Sequence, residues 1–387
     1  HAHFDHIGSL PVAIRHFPHA RVYMTPATAE LTEQMLYHYL KVQRKKQNEQ
    51  GRPFNPLYTE EFISEIRYIF QSFDYEHSFP IHSFEESGIR LTFYDAGHIL
   101  GSAGILIEWK GKRIFYTGNT RKSRQFILKG ARYPSGADLL ITESTYGANS
   151  EAEKISSSAE VKRFSAALSQ HIRLGGIVLI PVFALGRTQE ILALLHRLRQ
   201  RGRIPAVPIF ITGFGIQVNK TYDRLLHQTY PEYKHGALRR MSFGRWSRGR
   251  KLRGPAILLF TSGMMIRGTP SFNYAQKLAA DARNGIFFVG YADPETPAGH
   301  FRQKKYEALK TIFGLEHIFC AVQIFHFSAH ANRRELLAMI RQMSPKKILF
   351  THGDAAALNW MNDAVQKLLH GCHTFIPQQS QFSEITL

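Results

Sequence analysis

The chain begins with a run of side chains that could bind metal ions. In "HAHFDHIGS", His1, His3, Asp5 and His6 fall within six residues. Alternate side chains of an extended stretch project to the same side, so His1 and His3 could face one ion. A loop curling after Phe4 could turn Asp5 and His6 toward a second point nearby, and zinc accepts both imidazole and carboxylate ligands. The alternatives are a leftover tag or a histidine-rich solvated loop, but a tag does not interleave its histidines with Ala and Phe. The run therefore favours a site for two adjacent divalent ions.

Further candidate groups follow predicted strands. His98 comes after the strand of "YDAGHILG", Glu143 lies in "LLITESTYG", and His352 ends the apolar run of "ILFTHGD". His330 lies among small residues in "HFSAHAN", which leaves room for a substrate. Active-site loops gather where strands end, and a carboxylate beside a histidine can fix its tautomer and raise its basicity. Each histidine alone could be structural, and Glu143 could be a cap. Their repetition favours a site.

The amino-acid composition limits the classes of protein to which the chain can belong. The chain has 387 residues, 44% of them hydrophobic and 20% charged, which predicts a large core and about two domains. With only Cys320 and Cys372, a disulfide framework is excluded and a cytoplasmic location is favoured. An apolar run of about eighteen residues, as a membrane span requires, does not occur. Because the chain starts at His1 inside a candidate site, we expect a fragment whose upstream targeting signals are not seen.

The charge is strongly basic and unevenly distributed. Lys and Arg number 49 against 30 Asp and Glu, a formal charge of +19, which is typical of proteins with a polyanionic partner. Residues 233–280 contain no acidic side chain, and Phe243 and Trp246 lie among their basic residues, where they could stack on bases. The basic residues of the first half of this segment are Lys234, Arg239, Arg240, Arg245, Arg248, Arg250, Lys251 and Arg253. The pattern favours nucleic acid over the alternative of an unspecific basic face.

The hydrophobic pattern predicts two regions of α/β structure. Before residue 150, a helix at 27–47 and strands at 19–25, 89–97, 104–111, 112–118 and 137–145 are expected, while 51–80 gives no clear pattern. After residue 150, strands and helices alternate, which predicts a parallel sheet with helices on its faces. The last part predicts helices near 332–343 and 358–370 and a strand at 373–377.

Taken in order, these motifs resemble those of a known family. "HAHFDH" resembles the HxHxDH signature of the metallo-β-lactamase superfamily, and "AGH", "FYTGN", "ITESTYG", "FSAH" and "THG" follow in the order of its β-CASP branch. "PVFALGRTQE" and "TSGMM" resemble further stretches of the β-CASP domain. That branch contains the nuclease subunit of pre-mRNA 3′-end cleavage and its bacterial and archaeal relatives. The resemblance covers nearly the whole chain.

The resemblance implies an αββα metallo-β-lactamase fold, its N-terminal strands lying upstream of this chain, with an inserted α/β β-CASP cap domain. The expected boundaries are 1–148 and 326–387 for the first domain and 149–325 for the insert. Two zinc ions are implied, one held by His1, His3 and His98 and the other by Asp5, His6 and His352. The catalytic residues would be His330, Glu143 and Asp5, with His330 as the general acid. The substrate-binding residues would be Arg187, Arg245, Arg248 and Ser328.

One residue departs from the family pattern. Asn119, in "YTGNTRKS", stands where the family has an aspartate that bridges the two metals. An amide is neutral and one of its ends is a donor, so it is a poorer bridge between cations. We therefore count Asn119 among the metal-site residues and expect the second zinc to bind more weakly.

The sequence therefore predicts a zinc-dependent ribonuclease that cleaves single-stranded RNA by a metal-activated water. Family members with a histidine at the position of His352 act mainly on RNA, whereas endonuclease and exonuclease action stay open. An alternative is a weakened or inactive pseudo-nuclease that binds RNA or a partner subunit. A small-molecule hydrolase of the same superfamily is a more distant alternative, against which the β-CASP motifs and the charge weigh. A homo-oligomer is possible.

Overall fold

A computed structural model of the chain describes residues 1–81, 88–234, 236–247, 252, 254–378, 381–382 and 384–387. In chain order, the helices of this part are α1 Phe4–Ile7, α2 Leu10–His16, α3 Pro26–Glu49, α4 Glu60–Ile66, α5 Ser157–Arg173, α6 Arg187–Gln200, α7 Gly213–Thr229, α8 Pro270–Leu278, α9 Pro297–Arg302, α10 Tyr306–Phe313, α11 Arg333–Met343 and α12 Ala355–Leu368. A short 3-10 helix lies at Arg67–Ile69.

The strands are β1 Val22–Met24, β2 Phe70–Ser72, β3 Ser78–Pro80, β4 Arg90–Asp95, β5 Ala103–Trp109, β6 Lys112–Tyr116, β7 Leu139–Glu143, β8 Ile177–Pro181, β9 Ile209–Ile211, β10 Gly244–Arg245, β11 Ala256–Phe260, β12 Gly285–Phe288, β13 Ala321–Ile324, β14 Lys347–Thr351 and β15 His373–Phe375. Among the described residues, no helix is both long and apolar enough to cross a membrane.

The structure divides into two compact units. The first comprises His1–Ser150 and His330–Leu387, and the second is Glu151–Ala329. The second unit therefore ends four residues later than the sequence boundary at 325. Two hydrogen bonds join residues 325–327 to the second unit. The Phe325 amide donates to the Phe288 carbonyl oxygen at 2.7 Å, and the Arg187 side chain donates to the Phe327 carbonyl oxygen at 2.7 Å.

The first unit contains a seven-stranded sheet in the order β15-β14-β7-β6-β5-β4-β3, besides the parallel pair β1–β2. Strands β6, β7 and β14 are parallel to one another. Strand β5 is antiparallel to both β4 and β6, so β4 runs in the same direction as β6, β7 and β14. The carboxyl ends of these four strands consequently share one edge of the sheet, and loops at such an edge commonly form binding sites.

Helices α11 and α12 pack on this sheet. Buried side chains of β5, β6 and β14 meet those of the two helices in one apolar cluster that includes Phe115, Phe350, Leu336, Ile340 and Met361. Each such side chain contributes about 1.5–3 kcal/mol by leaving water. Helix α11 begins at Asn332 with a reciprocal cap, in which Asn332 and Glu335 each accept the other's backbone N–H. The chain just after residue 330 is thereby fixed in the first unit.

Helices α1 to α4 form a second apolar cluster in the first unit. Ile7 of α1 is buried with Leu36 and Leu40 of α3 and Ile63 of α4. The Phe4 ring stacks on Tyr39 with centroids 4.1 Å apart. These contacts hold the start of the chain, which carries the first candidate ligands, against the long helix α3.

The second unit has one six-stranded sheet in the order β10-β9-β11-β8-β12-β13, and all of its pairings are parallel. The parallel sheet predicted from the strand–helix alternation is thus confirmed. The four inner strands, β8, β9, β11 and β12, are almost wholly apolar and buried, as expected when helices cover both faces of a sheet. Leu179, Phe210, Leu258 and Phe288 belong to the core of this unit.

Candidate metal centre

Three histidine rings converge at the edge where β4 ends. His3 Nδ1 lies 3.2 Å from His1 Nε2 and 3.1 Å from His98 Nε2. Nitrogens bound to a tetrahedral zinc at about 2.0–2.1 Å lie about 3.3 Å from one another, so these contacts have the spacing of the edges of a zinc polyhedron. The donor set of His1, His3 and His98 therefore fits a zinc ion.

The turn that carries His98 is fixed by its backbone. Gly97 has φ +69°, and a Cβ there would lie 2.4 Å from the Arg121 carbonyl oxygen, so the site requires glycine. The Gln125 side chain donates to the carbonyl oxygens of Gly97 and His98 at 2.6 and 2.9 Å. His98 is itself buried, and these contacts fix the backbone that carries its ring.

Asp5, His6 and His352 form a second group of donors. Asp5 Oδ2 lies 3.4 Å from His6 Nε2 and 3.9 Å from His352 Nε2. Partial burial works to raise the pKa of Asp5, but the neighbouring His352 and His6 rings outweigh it and hold that pKa well below its usual range. The Asp5 carboxylate in turn raises the pKa of His352 despite the partial burial of the ring. An ionised carboxylate facing two imidazoles is a donor set that zinc accepts.

The start of the chain differs from the expected loop in one respect. His3 is extended, but a short helix, α1, begins at Phe4, and the amides of His6 and Ile7 both donate to the His3 carbonyl. Asp5 and His6 thus lie on a helical turn that Ile7 anchors in the core, and their donor atoms also lie within 4.8 Å of a nitrogen of the His1 ring.

Asn119 lies beside the second group of donors. Its Nδ2 is 3.2 Å from His6 Nε2, while its buried Oδ1 has no hydrogen-bond partner within the described part of the chain. A buried amide oxygen without a partner is costly, and a cation bound nearby could satisfy such an acceptor. The position thus fits a metal ligand, although it offers an amide oxygen where a carboxylate would add charge.

Glu143 and His330 form a hydrogen-bonded pair at the end of β7. His330 Nδ1 lies 2.8 Å from Glu143 Oε2, and Glu143 also accepts from the Thr120 amide and the Thr145 hydroxyl, both at 2.5 Å. Glu143 is 1% exposed. Its complete burial works to raise its pKa, yet His330 and these hydrogen bonds outweigh burial and lower it. The carboxylate is therefore ionised and can stabilise a protonated His330.

The histidines of the three groups are neighbours. The His330 ring centroid lies 4.6 Å from that of His98 and 5.8 Å from that of His352, and the His6 and His352 rings are 5.5 Å apart. Glu143, His330 and His352 also form a group whose donor atoms lie within 4.8 Å of one another. The structure thus gathers the sequence-predicted site residues of the first unit at one edge of its sheet. Thr145 and Gln125, which the sequence reasoning missed, support them.

The four predicted substrate-binding residues differ in their exposure. Arg187 is buried and donates to the Phe327 carbonyl oxygen within the second unit, and its contact with substrate stays a prediction. Arg245 is exposed on β10, and Ser328 is half-buried in the second unit. Arg248 lies outside the described residues. Arg245 and Ser328 stay predictions.

The aromatic residues of the basic segment also differ from expectation. The Trp246 ring packs edge-on against Phe210 and Tyr274, at centroid distances of 5.5 and 4.9 Å. Trp246 thus packs in the core of the second unit. It is one of the two aromatic residues expected to stack on bases. The basic residues of the segment that the structure describes are exposed, namely Lys234, Arg239, Arg240, Arg245, Arg267 and Lys277.

Three models of known protein families match the chain. A metallo-beta-lactamase superfamily domain matches residues 1–144, a Beta-Casp domain matches 188–301, and a Zn-dependent metallo-hydrolase RNA specificity domain matches 317–377. The first and third models together cover every candidate ligand and the Glu143–His330 pair. The chain belongs to the β-CASP branch of the metallo-β-lactamase superfamily. The resemblance and the α/β fold class inferred from the motifs are thereby confirmed, and a metal cofactor is typical of the family.

The chain is also similar to individual curated proteins. The chain is 29% identical to the transcription termination factor FttA of Methanosarcina mazei, over 95% of this chain and 60% of the relative. It is 29% identical to an RNase J-like protein of Methanocaldococcus jannaschii, over 92% of this chain and 80% of the relative. Against endoribonuclease YSH1 of Eremothecium gossypii, the identity is 29%, over 94% of this chain and 49% of the relative. The chain thus spans about half to three-fifths of the length of FttA and YSH1.

Proposed function

We propose that the chain is the core of a zinc-dependent ribonuclease that hydrolyses phosphodiester bonds in single-stranded RNA. The observation that carries this proposal is the convergence of the His1, His3 and His98 nitrogens at 3.1–3.2 Å beside His330, which is half-buried and bonded to the buried Glu143. The names of two relatives, an RNase J-like protein and an endoribonuclease, support the reaction class. The model named for RNA specificity, which matches 317–377, supports RNA as the substrate.

In this proposal His1, His3 and His98 hold one zinc, and Asp5, His6 and His352 hold a second, with Asn119 beside them. Bound zinc lowers the pKa of a water molecule, so that hydroxide is available at neutral pH, and acts as a Lewis acid toward a phosphoryl oxygen. Asp5 is the ligand whose negative charge offsets the charge of the cations. The number of metal ions and their identity as zinc are both part of this proposal.

His330 is the proposed general acid. Its Nδ1–H donates to the ionised Glu143 carboxylate, which leaves Nε2 as the position from which a proton can reach the departing 3′-oxygen. Glu143 stabilises the protonated ring electrostatically and fixes its orientation. Positioned proton transfer of this kind contributes about 10²–10⁴-fold to a rate.

RNA is held, in this proposal, by exposed cations of the second unit, such as Arg239, Arg240 and Arg245. Contacts between such cations and phosphates give affinity without sequence choice. Ser328 is a further candidate contact. The cytoplasmic location and a homo-oligomeric state stay predictions.

A second candidate function is a pseudo-nuclease that binds RNA without cutting it. The placement of Asn119 Nδ2 at 3.2 Å from His6 Nε2 favours it, because an N–H that faces a ligand nitrogen competes with a metal for the same lone pair.

One experiment separates the two functions. The protein is purified without chelator, zinc per chain is measured by elemental analysis, and single-turnover cleavage of a labelled single-stranded RNA is followed before and after chelation. Bound zinc with chelator-sensitive cleavage supports the nuclease. RNA binding without cleavage at full zinc occupancy supports the pseudo-nuclease.

A further inference from the structure

Thr145 connects the two halves of the candidate site. Its hydroxyl oxygen lies 2.5 Å from Glu143 Oε2, 3.0 Å from His352 Nδ1 and 3.1 Å from the His352 carbonyl oxygen. The same Glu143 oxygen accepts from His330 Nδ1. One buried carboxylate oxygen is thus joined directly to the candidate acid and, through a single hydroxyl, to a candidate metal ligand.

The protons in this chain of hydrogen bonds can be assigned by counting. A threonine hydroxyl has one hydrogen to donate, whereas an ionised carboxylate has none. Glu143 is ionised, and Thr145 makes its shortest contact with it, so the hydroxyl hydrogen points to Glu143. His352 Nδ1 must then be the donor in its contact with the Thr145 oxygen. The neutral His352 ring therefore carries its hydrogen on Nδ1 and its lone pair on Nε2.

This tautomer is the one a metal ligand at this place needs. Nε2 is the His352 nitrogen that lies 3.9 Å from Asp5 Oδ2, on the side of the second group of donors. The His352 backbone has φ +51°, in a region that residues other than glycine rarely adopt. The Thr145 hydroxyl contacts the carbonyl oxygen of this same residue, and the Ser144 amide donates to it at 3.3 Å.

We propose that Thr145 is a positioning residue, which holds His352 in the Nδ1–H tautomer and thereby presents Nε2 to the metal. The proposal rests on the proposed function, since it assigns His352 to a metal. In this arrangement Glu143 accepts hydrogen bonds both from His330, the candidate acid, and from Thr145, which contacts the candidate metal ligand His352. A partner that orients a metal-binding histidine in this way is typically worth about 10–100-fold in metal affinity or activity.

Three variants of the full chain test the proposal. Thr145→Val removes the hydroxyl and keeps the branched shape, while Thr145→Ser keeps the hydroxyl. Thr142→Val is the matched control, because Thr142 is buried in the adjoining strand and its hydroxyl bonds the Glu143 carbonyl oxygen at 3.2 Å. The ring nitrogens of labelled histidines are observed by NMR in the metal-free protein, and zinc affinity is measured by competition with a chromogenic chelator.

We expect His352 of the wild type and of Thr145→Ser to be protonated at Nδ1, and Thr145→Val to lose this preference and to bind zinc about 10–100-fold more weakly. Thr142→Val should match the wild type in both measurements. An unchanged His352 tautomer in Thr145→Val would overturn the proposal, as would a serine variant that loses as much affinity as the valine variant. If the wild type binds no zinc at all, the proposed function fails, and the tautomer of the metal-free protein still decides the role of Thr145.

Discussion

Glu143 shows how a buried charge at this site is made tolerable. It is 1% exposed, yet a backbone amide, a hydroxyl and an imidazole N–H all reach its two oxygens. Burying an ionised group costs several kcal/mol unless hydrogen bonds and an opposite charge offset that cost. The consequence for chemistry is that His330 is held beside a carboxylate whose pKa is lowered by its hydrogen bonds and by the ring itself.

Replacing His330 tests its assignment as the acid. His330→Ala should lower single-turnover cleavage by about 10²–10⁴-fold, because no positioned group remains to protonate the leaving oxygen. Zinc per chain should stay near that of the wild type, because His330 is assigned to proton transfer. His326→Ala is the matched control, since this histidine lies four residues earlier, in the second unit, and should leave cleavage unchanged. Loss of zinc in His330→Ala would show that the residue is a ligand and that the role assigned here is wrong.

In the proposed function, Asn119 limits how strongly the second zinc is held. Asn119→Asp keeps the size of the side chain and replaces an amide by a carboxylate at a buried position whose Oδ1 has no hydrogen-bond partner among the described residues and whose Nδ2 lies 3.2 Å from His6 Nε2. The added charge should tighten binding of the second zinc and raise single-turnover cleavage by tenfold or more, which corresponds to about 1.4 kcal/mol. Zinc per chain and cleavage are measured together for both proteins. A gain of metal without any gain in cleavage would contradict the weakened-nuclease interpretation and favour the pseudo-nuclease.

At the scale of the elements, the direction of four strands explains why the site could be found from sequence. His98, Glu143 and His352 each follow or end an apolar run, and such runs can be recognised as strands without knowing their order in the sheet. The order itself could not be predicted. That β4 runs parallel to β6, β7 and β14 depends on the antiparallel strand β5 between β4 and β6, which is a tertiary arrangement.

Elements without a clear pattern were missed. Helix α7 begins with Gly213-Phe-Gly, which disfavours a helix locally, but it buries Val218, Tyr222 and Leu226 in the second unit. The segment 51–80, which gave no pattern, contains α4, β2 and β3, and both of these strands have only three residues. The contacts of Thr145 could not be predicted either, because they depend on the fold that brings residue 145 to residue 352.

The exposed basic residues of the second unit carry a prediction about RNA binding. The double variant Arg239→Glu with Arg245→Glu should weaken binding of single-stranded RNA and reduce its dependence on salt, because fewer counterions are released when fewer phosphates are contacted. Arg173→Glu with Arg201→Glu is the matched control, with the same change of charge at exposed positions at the ends of α5 and α6. Filter binding over a range of salt concentrations measures both quantities. Equal loss in the two double variants would mean that net charge, not this segment, attracts RNA.

At the scale of the whole molecule, the candidate ligands come from parts of the first unit that are far apart in the chain. Residues 1–6 and His352 are separated by the entire second unit, which lies between residues 151 and 329. A zinc ion bound by Asp5, His6 and His352 would therefore link the first and last parts of the first unit. Since an ion that binds only the folded state stabilises it, metal occupancy should be visible in the unfolding of this unit.

Removing zinc should consequently lower the melting temperature of the first unit. Free zinc at about 100 times its dissociation constant adds about 2.7 kcal/mol, which corresponds to roughly 5–10 °C for a unit of about 200 residues. Tryptophan fluorescence can report on this unit alone, because Trp109 and Trp360 lie in it and Trp246 lies in the second. In a Trp246→Phe background, chelation should lower the observed transition, and restored zinc should reverse the change. His352→Ala should reduce the response, because it removes the ligand that comes from the last part of the chain, and the exposed His370→Ala should keep it. A transition that stays in place while elemental analysis shows that zinc has left would mean that the metal does not link these parts of the chain.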